Sequence, residues 1–359
     1  MNMKKLIPLI LSGALLLGAA GCSGSGSQPS SAPSSAPEQS SAPQGGGDNA
    51  SDVKIGILIP GSPTDGGFSQ QGAEAGKNLA SKYGYSVSTV EAGTADVIKA
   101  EAETMAAEGY KIVFGHGGQC SAPFAEICED YPDTWFVTFG GTEIRDNLFP
   151  VVMCAEEGTY VLGVAAGMMT KTGNIAYTLG GDYPAYTKTT MGFALGAKSV
   201  NPSIKIQEAV LSSPDSNECY ETTMSQINSG ADMILSNANE GQAGAMKAVT
   251  ESSDVYTFGC LGNFFDMAPG KVLGNIIGDY NVGYDNATSA IMDGTVEADY
   301  MFLTIANGCV TVDWNPDVAL PADVQAAVDQ TYEDIKSGKI DVPNEYEQDA
   351  AKELLASYK

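Results

Sequence analysis

The chain has 359 residues, 43% of them hydrophobic and 17% charged, the proportions of a folded globular protein rather than a fibrous or disordered one. Its 18 lysines and arginines face 44 aspartates and glutamates, and a net charge of -26 repels phosphate backbones, which excludes nucleic acid as a principal partner. Arg145 is the only arginine and His116 the only histidine, so bidentate phosphate forks, histidine-rich metal sites and a triad with a spare histidine are scarcely possible, and no cofactor is implied.

Lys4 and Lys5 precede an apolar stretch over residues 6–17, followed by Gly18, Ala19, Ala20, Gly21 and Cys22. This is the layout of a secretory signal over 1–21, too short to remain as a membrane span. The small residues before Cys22 resemble a bacterial lipobox, with Ala19 where leucine is usual. That resemblance puts lipid on the Cys22 thiol and implies an extracytoplasmic protein anchored to the membrane by its acyl chains. Residues 22–51 are almost wholly Ser, Pro, Gly, Gln and Ala, a composition that buries too little surface to order itself and reads as a disordered stalk. Cys120, Cys128, Cys154, Cys219, Cys260 and Cys309 show no C-x-x-C spacing, and disulfides and buried free thiols fit them equally.

Residues 53–60 (VKIGILIP) read as a buried parallel strand, and 68–82 carry small and apolar residues at helical spacing. The alternation continues with strand 86–91, helix 97–108, strand 111–114, helix 122–130, and strands 135–139 and 151–154. A helix over 156–170 opens a second series, in which strands 174–178, 204–210, 233–236, 256–260 and 272–277 alternate with helices 187–199, 220–229 and 241–251. Helix 282–292, strands 300–306 and 309–311, and helix 323–337 complete the chain. The pattern predicts an α/β fold of two doubly wound, Rossmann-like lobes. The lobes are expected over 52–154 plus about 279–296 and over 155–278 plus about 297–359, joined by a multi-strand hinge. Ligands of open α/β sheets sit beyond the carboxyl ends of the strands, so the strand-end loops carry the candidate residues.

The loop after the first strand holds Asp65, Phe68 and Ser69 but no lysine or arginine, and it lacks both P-loop and dinucleotide spacing. A carboxylate acceptor and a stacking ring suit a neutral hydroxyl-bearing or heteroaromatic ligand; a turn carboxylate and a core phenylalanine are the plainer roles for the same residues. After the third strand come His116, Gly117 and Gln119, where the imidazole either bonds a ligand or is satisfied by its own loop. Phe139 and Gly140 end the next strand. In the second lobe Tyr183 and Tyr186 follow the first strand, and Asn237 and Asn239 offer donor and acceptor together, for a purine edge, a sugar hydroxyl or a helix cap. Asn263 and Asp279 follow the late strands.

The run Glu156-Glu157-Gly158-Thr159-Tyr160-Val161-Leu162-Gly163, continued by Lys171-Thr172-Gly173 and Gly180-Gly181, resembles the EGSYLAG to TKTG to GG stretch of the basic membrane protein family. These are substrate-binding lipoproteins of ABC importers and include purine nucleoside receptors. Tyr131-Pro132-Asp133, Gly192-Phe193, Gly196-Ala197, Asn201-Pro202 and Ser229-Gly230-Ala231-Asp232 match further segments, so the resemblance covers roughly residues 53–312. It implies a type I periplasmic-binding fold and capture, without catalysis, of a small molecule for permease subunits, a purine nucleoside or nucleobase foremost. It places Asp65 and Phe68 on the family's first-loop pair, with the phenylalanine stacked on the base, and the asparagines near 237 at the sugar. Gly259-Cys260-Leu261-Gly262-Asn263 stands in place of the family's Gly-x-Asp-x-Asp, and no lysine lies near Gly278. Gly278-Asp279-Tyr280-Asn281 looks more like the branch with an acidic-aromatic pair, so a free base or other small heterocycle gains over a nucleoside. The alternatives are a sugar or signal-molecule receptor on the same fold and a nucleoside hydrolase using Asp65 and Asp182.

Overall fold

The computed structural model of the protein describes residues 52–64, 68–344 and 348–358. The expected signal, Cys22, the stalk and Asp65 lie outside the described residues. In the first lobe β1 (Lys54–Ile59), β2 (Ser86–Glu91), β3 (Ile112–Gly115), β4 (Trp135–Phe139) and β5 (Leu148–Met153) pair in parallel, with α1 (Phe68–Tyr83), α2 (Ala95–Ala107) and α3 (Ser121–Ala125) between them. The second lobe takes α4 (Ala155–Met169), β6 (Asn174–Leu179), α5 (Pro184–Val200), β7 (Lys205–Val210), α6 (Ser216–Asn228), β8 (Met233–Asn237), α7 (Gln242–Thr250), β9 (Tyr256–Cys260) and β10 (Val272–Gly278). The chain then returns to the first lobe as α8 (Tyr280–Met292) and β11 (Met301–Leu303), and ends in the second as β12 (Val310–Trp314), α9 (Ala322–Lys336) and α10 (Gln348–Ser357).

The sheets have strand orders β11-β5-β4-β3-β1-β2 and β12-β10-β9-β8-β6-β7, so the two lobes repeat one strand order, except that the edge strand β11 runs parallel to β5 while β12 runs antiparallel to β10. Each is doubly wound. Along β1, Ile55, Ile57 and Ile59 pack with Leu79 of α1, while Leu58 faces Ile98 and Met105 of α2 on the other side. A strand covered on both faces has to be a continuous apolar run, which is why it stands out in the sequence.

The expected fold class is what the structure has, with local differences. Residues 297–303, read as second lobe, belong with the first, because β11 pairs with β5. The helix expected over 122–130 splits into α3 and a 3-10 turn at Cys128–Asp130, since Ile127 departs from helical geometry at φ -123. Strand β5 starts at Leu148 and runs through Pro150, whose missing donor makes the segment look like a loop. The polar α10 carries one buried residue, Ala351, too weak a stripe to be read from sequence. The six cysteines of the described part are all buried free thiols.

The Gly-rich motifs at 158–163 and 192–197 mark the crossing of α4 and α5. A side chain on Gly163 would strike the Phe193 carbonyl, and one on Gly196 the Tyr160 carbonyl, so the helices pack backbone to backbone. Three crossovers link the lobes, at Cys154, at Asp279 and between Leu303 and Val310. Glu157 at the start of α4 accepts a hydrogen bond from the Ile305 backbone N–H at 2.6 Å, tying the first crossover to the third. Its neighbour Glu156 is fully buried, 3.7 Å from the Lys188 ammonium of α5.

Burial pushes the Glu156 carboxyl up to about 7 from its ordinary 4.5, against the pull of Lys188. Between those values the unfolded chain releases a proton that the folded one keeps, so stability falls as pH rises from 4.5 to about 7 and the contribution is constant above that. Burial raises the Glu157 carboxyl in the same direction. Glu156→Gln, which cannot ionise, is therefore expected to flatten the dependence of Tm on pH across this window. A slope unchanged in the variant would place the titration elsewhere.

Candidate functional site

Strand order reverses at β1, which has β2 on one side and β3 on the other, and the carboxyl ends of β1 and β3 are the switch point where ligands of such sheets bind. Phe68 arrives there as the first residue of α1 and is 38% exposed. One face of its ring lies on the His116 imidazole, with centroids 3.9 Å apart and planes 23° from parallel, and Tyr280 meets it edge-on at 5.6 Å. Beneath this pair, Phe139 stacks on Tyr284 at 4.2 Å. Gly72, one helical turn after Phe68, makes the assembly possible: a Cβ there would sit 2.8 Å from the imidazole. The Tyr280 hydroxyl is pushed up to about 12 by burial and remains a neutral donor.

The same reversal occurs at β6 in the second lobe. The Gly180 N–H donates to the Asn237 carbonyl at 2.8 Å, and a Cβ on Gly180 would stand 2.8 Å from the Ala238 Cα, so only glycine lets the loops after β6 and β8 touch. Tyr183 precedes Pro184 at the head of α5 and is 65% exposed; the half-buried Tyr186 lies 6.2 Å from it. Burial, and after it the Glu240 carboxylate, raises the Tyr186 hydroxyl. Asn237 ends β8 buried, whereas Asn239 is exposed at φ 46, and Leu261 after β9 has φ 58. Left-handed backbone at non-glycine residues costs on the order of 1 kcal/mol or more, and here it falls in the strand-end loops where function concentrates.

Several residues expected at a ligand have other employment. His116 is completely buried; its Nε2–H donates to the Phe68 carbonyl at 2.6 Å and its Nδ1 faces the Tyr284 hydroxyl at 2.9 Å, so it is not the expected donor to a ligand. Phe139 is core, only 3% exposed. Asp279 caps α8, its Oδ1 accepting from the Asn281 backbone and side-chain N–H groups at 2.9 Å each. Asn263 is exposed but accepts from the Phe265 N–H at 3.1 Å, a turn bond. Ser69 is buried beside Gly61. Gln119 is exposed and folds over Gly117, and Gly118 lies so close to the Gly140 carbonyl that no side chain fits. What sequence reasoning missed is Tyr284, which stands four residues after Tyr280 on one face of α8 and reaches His116.

A groove of about 260 Å³ between α1 and α8 carries Asn78, Lys82, Asn281 and Asp285. These close on one another, Asn78 to Asn281 at 2.8 Å and Lys82 to Asp285 at 2.6 and 2.7 Å, so the groove is the clasp that holds α8 beside α1. With Asp279 as a cap, Asp279→Ala is expected to cost about 1 kcal/mol in urea unfolding and Asp279→Asn much less. A loss of ligand affinity at unchanged stability would return the carboxylate to the contact surface.

Among known proteins, a purine-binding protein of Brucella abortus is 26% identical over 292 residues, 80% of this chain and 82% of its own length. A putative ABC transporter glucose-binding protein of Haloferax volcanii is 27% identical over 64% of this chain and 58% of its own. An ABC transporter solute-binding protein from Conexibacter woesei has the same fold, with a TM-score of 0.65 at 24% identity over 81% of this chain and 99% of that one. The fold is the type I periplasmic-binding fold. Residues 52–345 match the PnrA-like family of ABC transporter substrate-binding proteins, and the chain belongs to that family, whose members are extracytoplasmic, bind a small molecule for a permease and are not enzymes.

Proposed function

We propose that this protein captures a small, flat, uncharged molecule, a purine base foremost and a nucleoside second, between two closing lobes, and delivers it unaltered to its permease. The observation that carries this reading is Phe68: one face of its ring is sealed by His116 and the side chain remains 38% exposed, as a stacking platform requires. The strand-end loops at 60–70, 115–121, 179–186, 237–242, 260–267 and 278–281 contain Asp65, Asp182, Glu240, Asp266 and Asp279 but no lysine or arginine, which disfavours phosphorylated ligands. The purine-binding relative agrees with a base, and the glucose-binding one keeps a sugar as the second reading. In the proposed complex Tyr183, Tyr186, Asn237 and Asn239 complete the pocket on closure.

Stacking on one ring is worth about 1–3 kcal/mol, so Phe68→Ala is expected to weaken purine binding about tenfold or more. In thermal-shift and calorimetric titrations adenine, guanine, hypoxanthine and adenosine should stabilise the protein, by about 2.7 kcal/mol at a hundred times Kd, and AMP much less. Stabilisation by glucose with none by any purine would replace the reading with sugar capture. Cys22 is proposed as the lipid attachment site, so Cys22→Ser is expected to move the protein from the membrane fraction into the medium; retention on the membrane would remove the anchor from this account.

A further inference from the structure

We infer that His116 is a positioning residue for ligand selection: it touches no ligand, yet it fixes the tilt of the Phe68 ring and hence the plane in which a flat heteroaromatic molecule is held. The inference rests on Phe68 acting as the stacking platform. A phenylalanine at the start of a helix, 38% exposed, takes its rotamer from the groups its ring meets, Tyr280 at its edge and a flat support on its face. The imidazole supplies it, lying flat on one face of the ring at 3.9 Å.

The imidazole is itself held at both edges. The Phe68 carbonyl only accepts, so Nε2 carries the proton in that 2.6 Å bond, and the neutral ring then offers the Nδ1 lone pair to the Tyr284 hydroxyl at 2.9 Å. Burial raises the Tyr284 hydroxyl well above its ordinary value, which keeps the proton it donates. One bond therefore anchors the histidine to the backbone of the residue it supports, and the other anchors it to α8. Gly72 provides the clearance. Among the common side chains only a neutral imidazole combines a flat face for stacking with a donor and an acceptor on opposite edges. Phenylalanine would stack without being anchored, and glutamine could bond without stacking.

The test uses the full chain and exploits His116 being its single histidine. Nitrogen NMR of that imidazole should show the Nε2–H tautomer, and Phe68 ring signals should be sharp and shifted by the neighbouring ring. In Tyr284→Phe and His116→Phe the Phe68 signals are expected to broaden or move. Adenine affinity is expected to fall about tenfold in both, equivalent to about 1.4 kcal/mol, while D-glucose binding, if any, changes little. His116→Gln should retain partial anchoring and lose less order than His116→Phe. Urea unfolding of the ligand-free variants separates this from general damage, because the affinity loss is expected even in Tyr284→Phe, where the histidine ring remains. Unmoved Phe68 signals, or equal adenine affinity in Tyr284→Phe and the parent, would overturn the role given to His116. Failure of the parent to bind adenine, guanine, hypoxanthine or adenosine would instead sink the stacking reading of Phe68, and this inference with it.

Discussion

The reversal of strand order at β1 and β6 is the constraint from which the rest follows. Right-handed crossovers put α1 and α2 on opposite faces of the first sheet, as the separate packing of Leu79 and Ile98 shows, and no connection then covers the carboxyl ends of β1 and β3. Phe68, the first residue of the helix after β1, meets His116, the first residue beyond β3, and in the second lobe Gly180 meets Ala238, each the first residue beyond its strand. The pseudo-equivalence of the lobes is thus a statement about where polar and aromatic groups accumulate as well as about topology.

Much of this was legible in the sequence. Strands buried on both faces are apolar runs, so β1, β3, β4, β6, β8 and β9 stand out against their loops. The resemblance to the family is legible for a less obvious reason: its densest motifs, around Gly163, Gly192 and Gly196, are helix-crossing positions where a carbonyl occupies the place of a side chain. They report the fold with great specificity and say little about a ligand.

The candidate site was only partly legible, because its supports come from distant segments. Whether His116 faces a ligand or a protein group depends on Tyr284, 168 residues away. Local sequence offers a lone histidine on a glycine loop and both outcomes remain open. Asp279 is a similar case: a carboxylate after a strand and before a helix has the same sequence appearance whether it grips a ligand or caps the helix, and the short bonds to Asn281 decide for the cap. Phe68 was legible because it opens the helix that follows β1 directly in sequence.

The hinge and the platform share residues, and this joins binding to motion. Tyr280 is the second residue after β10 and the first of α8, and its ring lies against both Phe68 and His116. Two residues earlier, Gly278 lies between Met153, beside the first crossover, and Leu261 of the second lobe, whose side chains a Cβ there would meet at 3.0 and 3.1 Å. A rotation of the lobes about these crossovers acts on backbone within two residues of the edge of the stacking surface. A ligand stacked on Phe68, as proposed, would press on groups that belong to the hinge, and the aromatic cluster would join occupation of one lobe to the junction with the other.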